Sequence, residues 1–212
     1  SSLSSIEIPS GVTSIGYYTF YGCSSLADVT FGENSQLTSI GSYAFENCSS
    51  LTSIEIPSGV TSIDSSAFYY CSSLETIIVE EGNSVYDSRG NCNALIGTAS
   101  NTLMLGCKNT IIPETVTTIG DYAFYNCSSL ASIEIPSGVT SIETEAFSDC
   151  SSLADVTFGE NSQLTSIGSY AFYGCSSLSS IEIPSGVTSI ESCVFRGCSS
   201  LSSIEIPSGV TS

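Results

Sequence analysis

The chain has 212 residues, of which 21 are acidic and only 3 are basic, so its formal net charge is −18. Because a nucleic-acid backbone or an anionic lipid surface is bound by clusters of Lys and Arg, this charge argues against both kinds of partner. Apolar residues make up 41% of the chain, enough for a sizeable core. No apolar run approaches the ~20 residues of a membrane-spanning helix, so we expect no membrane insertion in this segment.

A short repeat runs along the whole chain and predicts its architecture. Apolar–polar–apolar triplets recur at intervals of 23 or 25 residues, with a single interval of 33. They lie at residues 6–8, 29–31, 54–56, 77–79, 110–112, 133–135, 156–158, 181–183 and 204–206. The stretch CSSLADVTFGENSQLTSIGSYAF at 23–45 returns letter for letter at 150–172. Such a period predicts about nine stacked repeats, here called rungs, rather than two globular domains.

The rung of residues 51–71 shows how each repeat should fold. Its triplet at 54–56 alternates as a strand with one buried face, and Pro57, which lacks an N–H, ends that strand. A Ser-Gly turn then sends the segment VTSI at 60–63 back along the opposite side. The Ala-Phe-x-x-Cys segment at 67–71 fits one turn of α- or 3₁₀-helix with Phe and Cys directed inward. One rung buries too little alone, so its neighbours must complete the core.

The interval of 33 residues marks an insertion. Its rung lacks Ala-Phe-x-x-Cys and instead contains two apolar segments, ALI and LML, which predict a β-hairpin insertion at about 86–106 with its turn at 98–101. Insertions in repeat proteins often carry binding. The alternative is that the hairpin only covers the core where the phenylalanine is missing, which Leu95, Leu103 and Leu105 favour.

Seven of the ten cysteines occupy one position in successive rungs and are predicted to be reduced, buried thiols. They are Cys23, Cys48, Cys71, Cys127, Cys150, Cys175 and Cys198. A parallel stack points their Cβ atoms the same way, which disfavours disulfides between rungs. Cys92 and Cys107 differ, because a hairpin turn centred on residues 99–100 places them opposite each other, and likewise Leu95 opposite Met104. A disulfide between these two cysteines stays open. With no His and no Cys-x-x-Cys pair, we expect no zinc and no cofactor.

The pattern L-x-x-I-x-I-P-x-x-V-x-x-I-x-x-x-A-F-x-x-C resembles that of the BspA-like leucine-rich-repeat surface proteins, and the resemblance covers the whole chain. It implies a right-handed leucine-rich-repeat superhelix of mainly short β-strands, with the strands on the concave side. It also implies a surface-exposed or secreted protein, since members are associated with adhesion to host extracellular-matrix proteins and to other cells. No catalytic residues come with that family.

Both ends of the chain stop within repeats and lack an atypical capping repeat. We therefore expect residues 1–212 to be a single solenoid domain cut from a longer array, whose signal and anchor lie outside this segment. The expected location is the cell surface or the medium.

The middle residue of each triplet must point away from the core, because side chains alternate along a strand. These residues would line the concave face, which solenoids commonly use for ligands. They are Glu7, Thr30, Glu55, Ile78, Ile111, Glu134, Thr157, Glu182 and Glu205. Ile78 and Ile111 occupy consecutive rungs and should touch, so we predict a binding site with an apolar centre bordered by Glu55 and Glu134. The alternative is that the hairpin or Tyr86 buries both isoleucines.

An enzymatic function is disfavoured by the residue types present. Glu182 and Glu205 in neighbouring rungs would bring two carboxyl groups roughly 5 Å apart, as in retaining glycosidases. The chain has no Trp or His, however, so we interpret the pair as part of a solvated column, and the usual nucleophile triad is excluded. The sequence predicts a non-catalytic, adhesin-like module that binds host matrix or other cell-surface proteins. The alternative is a structural spacer that presents another module.

Overall fold

Short stacked β-strands build the fold in the computed structural model, which describes residues 2–212. The strands are β1 (Ser5–Ile8), β2 (Ser14–Ile15), β3 (Asp28–Phe31), β4 (Ser39–Ile40), β5 (Ser53–Ile56), β6 (Ser62–Ile63), β7 (Thr76–Val79), β8 (Tyr86–Asp87), β9 (Ala94–Gly97), β10 (Thr102–Gly106), β11 (Thr118–Ile119), β12 (Ser132–Ile135), β13 (Ser141–Ile142), β14 (Asp155–Phe158), β15 (Ser166–Ile167) and β16 (Ser189–Ile190). Most rungs contribute a four-residue strand to one face and a two-residue strand to the opposite side. This arrangement confirms the predicted repeat solenoid of mainly short β-strands.

The two faces pair differently along the chain. The four-residue strands that contain the triplets form three parallel pairs, β1 with β3, β5 with β7 and β12 with β14. On the opposite side β2, β4 and β6 form a three-stranded parallel sheet. The remaining strands form a seven-stranded sheet in the order β16-β15-β13-β11-β10-β9-β8, in which the insertion supplies the last three. The insertion is therefore built into the solenoid wall.

The Ala-Phe-x-x-Cys segments are consecutive hydrogen-bonded turns, and the prediction of a helical turn is wrong there. The reason lies in the residue two before the phenylalanine, which adopts a left-handed backbone in most rungs, with φ of 56° at Tyr43 and 60° at Tyr122. A left-handed residue interrupts a right-handed helix. Within residues 2–212 the one helical segment is the 3₁₀-helix Arg89–Asn91, and no helix there has the length and apolarity to cross a bilayer.

Columns of identical side chains fill the core. The phenylalanine rings stack in two runs, and in the first run the ring centroids of Phe20, Phe45 and Phe68 are 5.2 Å apart at each step. In the second run the steps from Phe124 to Phe195 measure 4.9 to 5.8 Å. Each fully buried ring contributes about 2–3 kcal/mol through removal of apolar surface from water. The gap between the two runs coincides with the insertion.

The cysteine column forms a ladder of thiol–carbonyl hydrogen bonds. Five of the seven thiols donate to the carbonyl of the phenylalanine one rung earlier, as Cys48 Sγ does to Phe20 O at 3.3 Å. The same bond, at 3.1 to 3.2 Å, is made by Cys71, Cys150, Cys175 and Cys198. Burial raises the pKa of Cys48 to about 12, so this thiol stays protonated. The predicted reduced thiols are confirmed, although Cys23 and Cys71 are only half-buried.

The hairpin of β9 and β10 follows the predicted turn but changes register along its length. Gly97 pairs with Thr102 as expected, whereas a bulge at Met104 places Leu95 opposite Leu105, so the predicted Leu95–Met104 pair is wrong. The thiols of Cys92 and Cys107 are free, and they donate to Ala94 O and Asn93 O. Each thiol also packs in a different core cluster, so the structure contains no disulfide between these two cysteines.

The hairpin covers the core where the phenylalanine column is interrupted. Leu95 and Leu103 are buried, as the cover interpretation requires, and Leu105 is half-buried. Gly106 takes the place of the missing phenylalanine, because its N–H donates to Ala123 O at 2.7 Å, the bond that phenylalanine makes elsewhere. A side chain at Gly106 would overlap the ring of Phe124. The ring thus occupies the space that the glycine leaves, and the insertion closes the wall of the solenoid.

Candidate functional site

The middle residues of the triplets form one exposed column on the face of the four-residue strands, here called the triplet face. All nine are exposed: Glu7, Thr30, Glu55, Ile78, Ile111, Glu134, Thr157, Glu182 and Glu205. Parallel pairing sets Glu7 opposite Thr30, Glu55 opposite Ile78, Glu134 opposite Thr157 and Glu182 opposite Glu205. The outward direction expected from strand alternation is therefore observed for the whole set.

The two isoleucines of this column are accessible to solvent. Ile78 is 46% exposed and Ile111 is 75% exposed, so the alternative that the hairpin or Tyr86 buries them is wrong. Tyr86 is itself buried on the opposite side, where its hydroxyl accepts a hydrogen bond from the Ile63 N–H at 3.1 Å. This hydrogen bond replaces the one that a strand of the following rung would make to β6, which pairs only with β4. The centre of the triplet face therefore presents two apolar side chains to water.

The insertion changes which segment lies beside Ile111. In regular rungs a triplet N–H bonds to the triplet of the preceding rung, but the Ile111 N–H donates to Cys92 O at 3.0 Å. The hydroxyl of Thr110 likewise donates to Asn93 O at 2.6 Å. The backbone of Ile111 therefore pairs with the insertion and not with the triplet of Ile78. The backbone at Cys92 and Asn93 takes up that position, so the two isoleucines flank the insertion.

Three open clefts lie along the triplet face. One, of about 370 Å³, is lined by residues that include Ile111, Glu114 and Glu134. The other two, of about 310 and 490 Å³, lie beside Glu55 and Glu182 at the longer turns of the 25-residue rungs. The cleft at Ile111 thus combines an exposed isoleucine with two carboxylates. The other two clefts are lined by equivalent residues of two rungs with the same sequence.

Hydrogen bonding organises one of the carboxylates on this face. The Ser58 N–H donates to Glu80 Oε2 at 2.6 Å, and this bond lowers the pKa of Glu80. Glu80 therefore stays charged at neutral pH and adds to the negative border of the cleft beside Glu55. Within residues 2–212 no group of His, Cys, Asp and Glu is arranged to hold a metal ion.

A further cleft, of about 350 Å³, opens where β6 and β10 meet, and the sequence reasoning did not find it. Ile63, Phe68 and Met104 are among its apolar lining, and Asp64 and Glu143 add carboxylates. It forms because β6 has no strand partner on that side, which depends on how the insertion folds. No local sequence pattern reports such a gap.

Family comparison identifies the repeat. The model described as the BspA type leucine-rich repeat region matches residues 1–93 and 101–212, in six copies. The chain belongs to this family. The uncovered residues 94–100 comprise β9 and the turn of the inserted hairpin, where the BspA-type pattern is absent. The predicted family resemblance is thus confirmed, and comparison with curated protein sequences gives no match.

Solved structures of related repeat proteins resemble this BspA-type chain. The pneumococcal vaccine antigen PcpA is 28% identical with a TM-score of 0.86, over 98% of this chain and 52% of that one. A leucine-rich repeat protein from Bacteroides ovatus is 31% identical with a TM-score of 0.57, over 98% and 56% of the two chains. A leucine-rich cell surface protein from Faecalibacterium prausnitzii is 27% identical with a TM-score of 0.52, over 96% and 79%. The chain spans about half the length of PcpA.

Proposed function

We propose that this chain is a non-catalytic, adhesin-like module that binds a protein partner through the triplet face. The observation that carries the proposal is the exposure of Ile78 and Ile111 in a column that is otherwise polar. Exposed apolar side chains bounded by polar ones are typical of protein interaction sites. Strand alternation directs both side chains outward, so they contribute little to the core.

The proposed site has an apolar centre and an acidic border. Ile78 and Ile111 form the centre, and Glu55 and Glu134 stand on the neighbouring rungs on either side. Protein interfaces commonly have this plan, in which a few central apolar side chains supply most of the affinity and charged residues at the rim set orientation. The outer members Glu7, Thr30, Thr157, Glu182 and Glu205 extend the contact surface along the column. A partner with a basic rim around an apolar patch would be complementary.

The proposed location is the cell surface or the medium, and the proposed partners are host extracellular-matrix or other cell-surface proteins. Support comes from a structural neighbour described as a leucine-rich cell surface protein and from another described as a vaccine antigen. Membership of the BspA-type family agrees with a binding role, since repeat solenoids generally present extended surfaces for protein partners. The high negative charge speaks against nucleic acid as the partner.

The test compares binding to immobilised host matrix proteins before and after Ile78→Thr with Ile111→Thr. Thr30 and Thr157 show that threonine fits the same position in other rungs, so the melting temperature should stay within a few degrees. Affinity for the matrix protein should fall at least tenfold, because central apolar contacts dominate such interfaces. A control with Thr61→Ser and Thr188→Ser, two exposed threonines beside β6 and β16 on the opposite side of the solenoid, should bind normally. Unchanged binding by the double isoleucine variant would contradict the proposed site.

A structural spacer is the second candidate function, and the letter-for-letter identity of residues 23–45 and 150–172 favours it. A surface selected for a specific ligand tends to vary along the array, whereas a spacer needs only stacking rungs. The same assay separates the two functions. If no matrix protein binds this chain while a segment outside it does bind, the spacer function stands.

A further inference from the structure

Eight tyrosine side chains form a continuous ribbon along the edge of the solenoid that carries the Ala-Phe-x-x-Cys turns. The tyrosine ribbon consists of Tyr17, Tyr18, Tyr21, Tyr43, Tyr69, Tyr70, Tyr122 and Tyr125. Neighbouring rings in it have centroids 4.0 to 6.0 Å apart. Tyr17, Tyr18 and Tyr21 are 64%, 41% and 52% exposed, and the other five are half-buried against one another. This surface lies apart from the triplet face.

The ribbon continues across the insertion. The rung of residues 77–110 has no Ala-Phe-x-x-Cys turn, so the turns before and after it come together on this edge. The rings of Tyr69 and Tyr122 are 5.2 Å apart, and the hydroxyl oxygens of Tyr70 and Tyr125 are 3.0 Å apart. The missing turn therefore joins two groups of tyrosines into one surface.

The turn itself does not require tyrosine. Tyr18, Tyr43 and Tyr122 have left-handed backbones with φ of 56°, 56° and 60°, a conformation that is unfavourable for most residues. Glycine or asparagine adopts it more readily. The rings lie outside the phenylalanine column, so the core does not explain them either. Neither the turn nor the core therefore accounts for the rings, which are available at the surface.

The charge around the rings is negative. A hydrogen bond with Tyr17 raises the pKa of Tyr18 to about 12, and burial raises the pKa of Tyr69 and Tyr125. These hydroxyls are therefore neutral at physiological pH. The carboxylates that act electrostatically on tyrosines of the ribbon are those of Glu46, Asp121, Glu145 and Asp149. Neutral rings with electron-rich faces, bordered by carboxylates, favour a cation.

The chain contains one example of such a contact. The Arg196 guanidinium lies 5.9 Å from the centroid of the Tyr173 ring, and Tyr173 occupies the repeat position of Tyr21. Within the ribbon, the rings of Tyr18, Tyr43, Tyr69 and Tyr122 follow at steps of 5.1, 6.0 and 5.2 Å. An extended peptide places alternate side chains about 6.6–6.8 Å apart on one side, so about three of them span the four rings.

We propose that the tyrosine ribbon binds an extended, arginine-bearing cationic segment of a partner protein. About three alternate guanidinium groups would lie along the row of four rings, and Glu46 and Glu145 would pair with the same charges. The path from Tyr18 to Tyr122 has the length of about five extended residues. This inference concerns a different surface from the triplet face and stands independently of the matrix-binding proposal.

The test measures fluorescence anisotropy of a labelled peptide of five Arg-Ser pairs with the full 212-residue chain. Tyr43→Asn with Tyr122→Asn removes two central rings while suiting the left-handed backbone, and it should weaken binding at least tenfold. The matched control is Tyr170→Asn, which has the same repeat position and a φ of 58° but contacts only Tyr173 among the tyrosines. It should bind like the wild type. A labelled Glu-Ser peptide should not bind, and salt should weaken the Arg-Ser complex.

Two results would overturn the proposal. Absence of Arg-Ser binding by the wild type at low salt excludes a cationic segment as the ligand. Equal loss, or no loss, in the double variant and the Tyr170 control shows that the negative charge of the chain binds the peptide without the ribbon. Circular dichroism of each variant keeps these results separate from unfolding. Neither result bears on the isoleucine variants, whose readout is matrix-protein binding.

Discussion

Residues 23–45 and 150–172 have the same sequence, and their comparison separates what a rung determines by itself from what its neighbours add. Burial and backbone conformation agree in the two copies. The strands β3 and β14 have the same burial pattern, and Tyr43 and Tyr170 have φ of 56° and 58°. The surroundings differ. Tyr43 contacts three other tyrosines in the ribbon, whereas Tyr170 contacts Tyr173.

The hydroxyl groups of the two copies differ in the same way. Ser42 Oγ donates to Asp64 Oδ2 in the next rung at 2.7 Å, whereas Ser169 in the second copy makes no side-chain hydrogen bond within residues 2–212. The rung that follows the second copy has Glu191 where the first has Asp64. Identical residues therefore acquire different partners, because their partners lie about one repeat away in the sequence.

The prediction with the largest expected effect concerns the buried side chains, which should be equivalent in the two copies. Phe45 and Phe172 are fully buried, and each ring stacks on one in the preceding rung and one in the following rung. Replacing either by alanine should lower the free energy of unfolding by about 3–5 kcal/mol, because a cavity replaces the ring. Urea denaturation of Phe45→Ala and Phe172→Ala should give similar losses. A large difference would contradict the equivalence of the inward positions.

A smaller effect is expected where the insertion departs from both copies. Gly106→Ala places a methyl group against the Phe124 ring, which should cost about 1–3 kcal/mol through overpacking. The matched control is Gly11→Ala, because no atom lies within 4 Å of the added group there. The control should change the free energy of unfolding by no more than a few tenths of a kcal/mol. Equal effects in the two variants would show that Gly106 is not the replacement for the missing ring.

The smallest expected effect concerns the side chains of the two copies that point away from the core. Ser42→Ala should cost about 1 kcal/mol at neutral pH and Ser169→Ala close to nothing, because only Ser42 bonds to a carboxylate. Burial tends to raise the pKa of Asp64, but hydrogen bonds from Ser66 and Ser42 outweigh it and lower that pKa. A lowered pKa stabilises the fold above the unfolded value of about 3.9, and the stabilisation is lost as the pH falls through the folded value.

The difference between Ser42→Ala and wild type should therefore shrink as the pH is lowered from about 4 toward 2. Chemical denaturation at several pH values measures it, with Ser169→Ala as the parallel control. A loss for Ser42→Ala that does not depend on pH would show that the bond to the charged carboxyl is not its source.

Much of the architecture could be predicted from single residues. The alternation in Ile54-Glu55-Ile56 predicted the strand and its exposed middle residue, and Pro57 predicted where the strand ends. The inward cysteines were predicted as free thiols from their repeat position. These predictions succeeded because burial along a strand depends on alternation, a property of adjacent residues.

Other features escaped the sequence because residue alternation and repeat spacing do not determine them. The left-handed backbone at Tyr43 turned a predicted helical turn into consecutive turns, and the bulge at Met104 moved the partner of Leu95 by one residue. The backbone of Ile111 pairs with the segment at Cys92 and not with the triplet of Ile78. The tyrosine ribbon had a signal, namely tyrosines beside the phenylalanine in several rungs, but its continuity across the insertion required the fold.

The sequence by itself determined the rung: its strand, its turn, its inward columns and the outward direction of the triplet centres, all of which repeat with the period. Only the tertiary structure decided which outward side chains meet. Those contacts join residues a repeat or more apart, and the insertion changes the spacing between them. For this reason the exposure of Ile78 and Ile111 and the joining of Tyr69 to Tyr122 became visible only in the folded chain.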